Sequence, residues 1–112
     1  MVREVDICGV HSGTDTDKFK LCHFTEYKSS KISSPGIEQC PVNIECLLKK
    51  TVDLGSHHMF IGEVVKIHAD RRVVDAGGRI DFGIAKPFVY NLGEYWNLGE
   101  KIGYYGFSKK EV

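Results

Sequence analysis

A mainly β fold, arranged as part of a barrel with short helices, is what this chain of 112 residues predicts. Three observations carry that expectation. Val42, Ile44, Cys46 and Leu48 recur at every second position, the period of a strand with one buried face. Past a turn at Gly55 and Ser56, Met59, Ile61, Val65 and Ile67 face one way while Phe60 and Val64 face the other. A strand apolar on both sides predicts burial on both faces, inside a barrel or at a subunit interface. Gly62 interrupts that strand, which marks a bulge or the close approach of another backbone or a flat ligand.

The elements follow in chain order. Val5, Ile7 and Val10 fall near one face of a short helix over residues 2–10, ended by Gly9 or by the Ser12 and Gly13 turn. Residues 14–19 offer a second helical turn with Thr14 or Asp15 as its cap, and Phe19 reads as core. Residues 24–39 are rich in Ser, Lys and Pro, a surface loop with a short strand near Ile32. The hairpin then runs from Val42 to about Leu54 and from His57 to Ile67. Val73 and Val74 end a strand, Asp75 to Gly78 turn, and the chain returns through Ile80. Phe88 to Tyr90 form a brief strand after Pro87. The tail carries Tyr95, Trp96, Tyr104, Tyr105 and Phe107, enough aromatic surface to cover something flat or a second subunit.

Fifteen Lys and Arg balance fifteen Asp and Glu, so no long-range field gathers nucleic acid or an anionic membrane. The pairs Lys49, Lys50 and Arg71, Arg72 read as solvated strand ends, and Lys18 as a solvated lysine. No linker or repeat divides residues 1–112, which are expected to form a single domain. The opening MVREVDICGV lacks the apolar run of an export signal, and Glu63 breaks the longest apolar stretch. A soluble, cytoplasmic chain with its four cysteines reduced is the expectation. Cys8, His11, Cys22 and His23 include both ligand types that zinc prefers, but their spacing is not that of a finger or ribbon, so no metal is expected. There is no Gly-x-Gly-x-x-Gly, phosphate loop or nucleophile elbow.

Four ordered blocks carry a resemblance. Gly55, Ser56 and His57 followed by MFIGEVV resemble the Gly-Asp-His and FIGEV region of the flavin reductase-like family, more closely its flavoredoxin branch. VDICGVHSGTDTDKF resembles the family's helix and the loop that ends here in Asp17, Lys18 and Phe19. The run from Gln39 to Cys46 and the tail GEYWNLGEKIGYYGFS agree in the same order. Ser56 stands where the family has aspartate, which keeps a hydrogen-bonding group and removes a charge.

The resemblance implies an FMN-binding split β-barrel, and it implies that the chain corresponds to the family's C-terminal portion. The first strands and most of the FMN phosphate contacts would then lie outside it. By the same resemblance, two electrons would pass between NADH or NADPH and FMN, and on to oxygen, a partner oxygenase or an electron-transfer protein. A homodimer is also implied. Gly55, Ser56 and His57 would line the cofactor, with His57 catalytic as a hydrogen-bond donor to flavin or nicotinamide. From residue chemistry alone, a histidine beside a turn is more often a satisfied structural group, and His58, on the opposite side of the strand, is given no role. Tyr95 and Trp96 have two readings, a platform for the isoalloxazine or barrel-closing packing. The reading from another class is a barrel fragment without flavin, acting as a dimerisation or partner-binding module.

Overall fold

The structure, a computed structural model, describes residues 1–110. The chain falls into two compact units, Met1–Arg71 and Arg72–Val112. Among the described residues, two antiparallel strand pairs lie in the first unit and one in the second, flanked by short helical segments.

The first unit opens with α1 (Val2–Val10), over the residues the apolar spacing predicts. Gly9 lies inside the helix and does not end it; His11 does, in an extended conformation, its N–H still bonded to the Ile7 carbonyl at 3.1 Å. The second helix, α2 (Lys18–Leu21), begins later than expected. Asp17, and neither Thr14 nor Asp15, is its cap: the carboxylate accepts the Lys20 amide at 3.2 Å. Thr14 is engaged one turn earlier with the Ser12 hydroxyl at 2.7 Å. In place of a single strand near Ile32, β1 (Glu26–Tyr27) pairs antiparallel with β2 (Gly36–Ile37), and Ile32 sits in the bend between them.

The long hairpin is β3 (Val42–Asp53) and β4 (His58–Ala69). Its register runs from Val42 opposite Ala69 to Asp53 opposite His58, with irregularities between Glu45 and Cys46 and between Leu48 and Lys50. Val65 is the extra residue on β4 and Lys49 the extra residue on β3. One bulge on each strand cancels the other, so the far end keeps the register that the turn alone would set. Between the bulges the alternation is displaced. Val64 pairs with Cys46 and so shares the face of Ile44 and Ile67, contrary to the strict alternation expected of β4. Gly62 sits beside the second bulge, where an added Cβ would lie 3.0 Å from the Cys46 Cβ.

Burial reverses the expectation for this hairpin. Ile44 and Leu48, expected on a buried face, are 55% and 62% exposed, while Glu45 on the other face is 3% exposed. Along β4, Met59, Phe60, Ile61, Val64 and Ile67 are all exposed. Within the described chain only Cys22 and Val73 are buried apolar residues. Period-two patterning identifies the strands, but which face is covered depends on what folds over them.

Where the chain passes from the first unit to the second, a 3₁₀ turn, Arg71–Val73, and then the bridge from Val74 to Ile80 replace the expected strand end. The turn at Asp75 forms as read, with Asp75 Oδ1 accepting the Gly77 and Arg79 amides at 2.9 Å each. A short helix that the sequence pattern does not predict, α3 (Phe82–Ala85), starts at Asp81, whose carboxylate accepts the Gly83 amide at 2.8 Å. It ends at Lys86 with φ 46°, just before Pro87. β5 (Phe88–Asn91) is the brief strand expected, and its partner β6 (Glu94–Asn97) was not. Leu92 and Gly93 between them have φ of 48° and 82°, the two positive values of a tight hairpin turn. A 3₁₀ turn, Phe107–Lys110, closes the described chain. Among the described residues no helix is long and apolar enough to cross a membrane.

Candidate functional site

Three places hold the chemistry. The first is the β3–β4 turn. Asp53 Oδ1 accepts the Gly55 amide at 2.8 Å, and the Leu54 amide bonds the His57 carbonyl at 2.9 Å. Gly55 has φ of 83°, a conformation that costs a side-chain-bearing residue. Together these present Ser56 and His57 at the tip. The Ser56 Oγ lies 2.9 Å from His57 Nδ1. With Nδ1 so engaged, Nε2 is the ring nitrogen left for a ligand, and the imidazole is exposed. A hydroxyl thus does locally what a carboxylate would do in orienting the ring, without adding charge. His58 is occupied differently, its ring stacked on Phe60 at 6.4 Å between centroids.

The second is the β5–β6 hairpin. Tyr95 is half-buried and makes edge-on contacts with Phe88 at 6.1 Å and Tyr90 at 5.4 Å. Trp96 is 56% exposed, and its indole N–H donates to Glu94 Oε2 at 3.1 Å. Tyr95 is therefore spent largely on packing within its own hairpin, and Trp96 offers an open aromatic face.

The third was not singled out from sequence. Glu45 accepts hydrogen bonds from the backbone amides of Ser30 and Lys31, both at 2.7 Å, and meets His68 Nε2 at 2.5 Å. Burial by itself would raise the Glu45 pKa, but the Ser30 amide, the His68 imidazole and the Lys31 amide together hold it down to about 2. Tyr27 stands edge-on to His68 at 5.8 Å. Asn43 fastens the end of the same loop, its Oδ1 accepting the Ile37 amide and its Nδ2 donating to the Ile37 carbonyl, both at 3.0 Å. Tyr27, Asn43, His68, Cys40 and Pro41 border an open depression of about 340 Å³. The arrangement clamps the 29–37 loop over the base of the hairpin. Its one sequence signal is an acid inside a strand whose neighbours are apolar; the register then puts His68 diagonal to it.

Gly55, Ser56 and His57 are thus brought together in one turn of the first unit, and Tyr95 and Trp96 on one strand of the second. Cys8 and Cys22 approach each other, whereas no group of three or more His, Cys, Asp or Glu side chains among the described residues could hold a metal.

Comparison with known proteins gives this geometry its context. The flavin reductase-like domain model matches residues 1–99. The flavoredoxin of Desulfovibrio vulgaris (Miyazaki F) superposes with a TM-score of 0.86 at 25% identity, over 96% of this chain and 58% of its own. Flavoredoxin from Methanosarcina acetivorans gives 0.85 at 25% identity, over 100% of this chain and 60% of its own. An uncharacterised protein of Archaeoglobus fulgidus is 32% identical over 71 residues, which are 62% of this chain and 40% of that protein. The chain therefore spans less than two thirds of the length of these relatives. Its mainly β architecture with short helices is that of the flavoredoxin split barrels, and the chain belongs to the flavin reductase-like family.

Proposed function

We propose that this chain serves in an FMN-dependent oxidoreductase that takes electrons from NADH or NADPH, with the Gly55–Ser56–His57 turn beside the flavin. The observation that carries the reading is the family match joined to an exposed imidazole whose Nδ1 is held by Ser56 at 2.9 Å. The turn suits the group. Gly55 adds no side chain to the approach, Ser56 sets the ring, and Nε2 of His57 can donate to a ring atom on which negative charge gathers. FMN, when bound, would supply the two-electron carrier chemistry; the chain orients it and donates that hydrogen bond. In the second unit, Trp96 rather than Tyr95 keeps an aromatic face open for stacking. Electrons would leave to oxygen or to a redox partner protein.

Titration of FMN against the chain, followed by flavin fluorescence, tests the reading. Because the chain covers 58% of the Desulfovibrio flavoredoxin, weak quenching is expected from it alone. Tight quenching, and bleaching on addition of NADH or NADPH, is expected once the uncovered part of that flavoredoxin is supplied as a fusion. A folded fusion that neither quenches nor bleaches overturns the proposal.

The exposed apolar residues of β4 favour a second role alongside this one: a dimer in which a second copy covers Met59, Phe60, Ile61 and Val64. A monomer that resists concentration in light scattering would contradict it.

A further inference from the structure

The Sγ atoms of Cys8, in α1, and Cys22, just after α2, lie 3.8 Å apart although fourteen positions separate them in the chain. The approach is held from two sides. Lys18 Nζ, at the start of α2, donates to the Cys8 carbonyl at 2.6 Å, and the Cys22 thiol donates to the Glu4 carbonyl at 3.8 Å. A disulfide has its sulfurs about 2.05 Å apart, so closure asks for less than about 2 Å of movement, within reach of side-chain rotation. Cys40 and Cys46 make no comparable contact: Cys40 is half-buried, and Cys46 is exposed on β3 beside Gly62.

We propose that Cys8 and Cys22 form a redox-sensitive pair, a modification site that closes to an intramolecular disulfide under a peroxide oxidant and reopens under a dithiol reductant. Cys8, the more exposed of the two, reacts first. Its thiolate attacks the peroxide, an S–O bond forms as the O–O bond breaks, and water departs with the thiol proton. The Cys22 sulfur then displaces the sulfenic oxygen: the S–S bond forms, the S–O bond breaks, and a second water carries away the second thiol proton. Two thiols lose two electrons, and hydrogen peroxide becomes two waters. Burial, followed by the hydrogen bond to Cys8, raises the Cys22 thiol, which suits the resolving partner better than the first to react. The closed pair would tie α1 to the segment after α2 and leave the β3–β4 hairpin untouched.

Treating the folded full chain with stoichiometric hydrogen peroxide, alkylating the remaining thiols in denaturant and mapping tryptic peptides tests this. The expected result is a fall from four alkylated cysteines to two, a mass about 2 Da lower before alkylation, and one linked pair, residues 4–18 with residues 21–28. The Cys40→Ser, Cys46→Ser double variant should lose both of its remaining thiols, and Cys8→Ser should form no internal link. Closure should be at least about tenfold faster in the folded chain than in urea, where any of the six pairs among the four cysteines can close. Equal rates in both states, pairing of Cys40 with Cys46, links between chains, or a Cys8 oxidised to sulfinic acid without a link would each overturn the proposal.

Discussion

The two ends of the β3–β4 hairpin contrast in what covers them. At the base, a charged side chain is buried: Glu45 is 3% exposed and satisfied by two loop amides and His68. Toward the tip, apolar side chains are in the open, with Phe60 at 68%. Hydrophobicity alone would arrange this the other way round. The base has a loop of its own chain clamped across it, and the carboxylate is what binds that loop. The apolar half has no such cover within the described chain, so its patterning records a surface meant for something else to bury. A buried polar group and an exposed apolar stripe thus have one cause: the loop covers one face of the hairpin at its base, and nothing in the described chain covers the opposite face or the tip in the same way.

The contrast can be broken most severely at the base. Gly36→Ala would place a Cβ 2.2 Å from the Tyr27 Cζ and drive that ring off His68. Overpacking of this kind costs about 1–3 kcal/mol, and a urea midpoint within error of the parent would show that the clamp is loose. Glu45→Ala strands the Ser30 and Lys31 amides, and their hydrogen-exchange protection should drop at least about tenfold while amides in the middle of β4 keep theirs. Loss of protection throughout would mean that the clamp holds the whole hairpin and not only its base.

Acid sharpens the same comparison. The folded Glu45 pKa, about 2, lies below its ordinary value of 4.5, so the folded state favours the ionised form. The stability this contributes is complete above about pH 4.5 and is lost as pH falls toward 2, where folded and unfolded states are both protonated. Protection at Ser30 and Lys31 should fall through that window, and Glu45→Gln should abolish the dependence. At the tip, by contrast, Phe60→Ser should change the stability of the isolated chain by no more than about 0.5 kcal/mol, with its effect appearing in self-association.

What could be read from sequence follows the same division. Local signals were legible: the period-two runs, the Gly55 turn, the apolar spacing of α1. The helix cap at Asp17 was misplaced because Thr14 and Asp15 are equally good caps by residue type, and only the preceding turn, which takes the Ser12 and Thr14 hydroxyls, decides between them. β6 escaped because its turn uses Leu92 at φ 48°, where a leucine gives no turn signal. The Glu45 clamp escaped because it requires the hairpin register and a loop that returns across the strand, neither of which has a periodic signature. Of the candidate site, the Gly55–Ser56–His57 turn was visible as a motif. The difference between Tyr95 and Trp96 became visible only once β5 and β6 were paired.

The central claim is that His57 acts on the reacting flavin and does not merely finish a turn. Rapid-mixing measurement of FMN reduction by NADH and by NADPH in the flavin-loaded fusion, parent against His57→Ala, tests it most directly. The expected result is reduction slowed by about 10- to 100-fold with FMN affinity changed by no more than about threefold, the pattern of a group whose interaction strengthens in the transition state. Equal reduction rates in the two proteins, or an FMN affinity that falls in step with the rate, would contradict it.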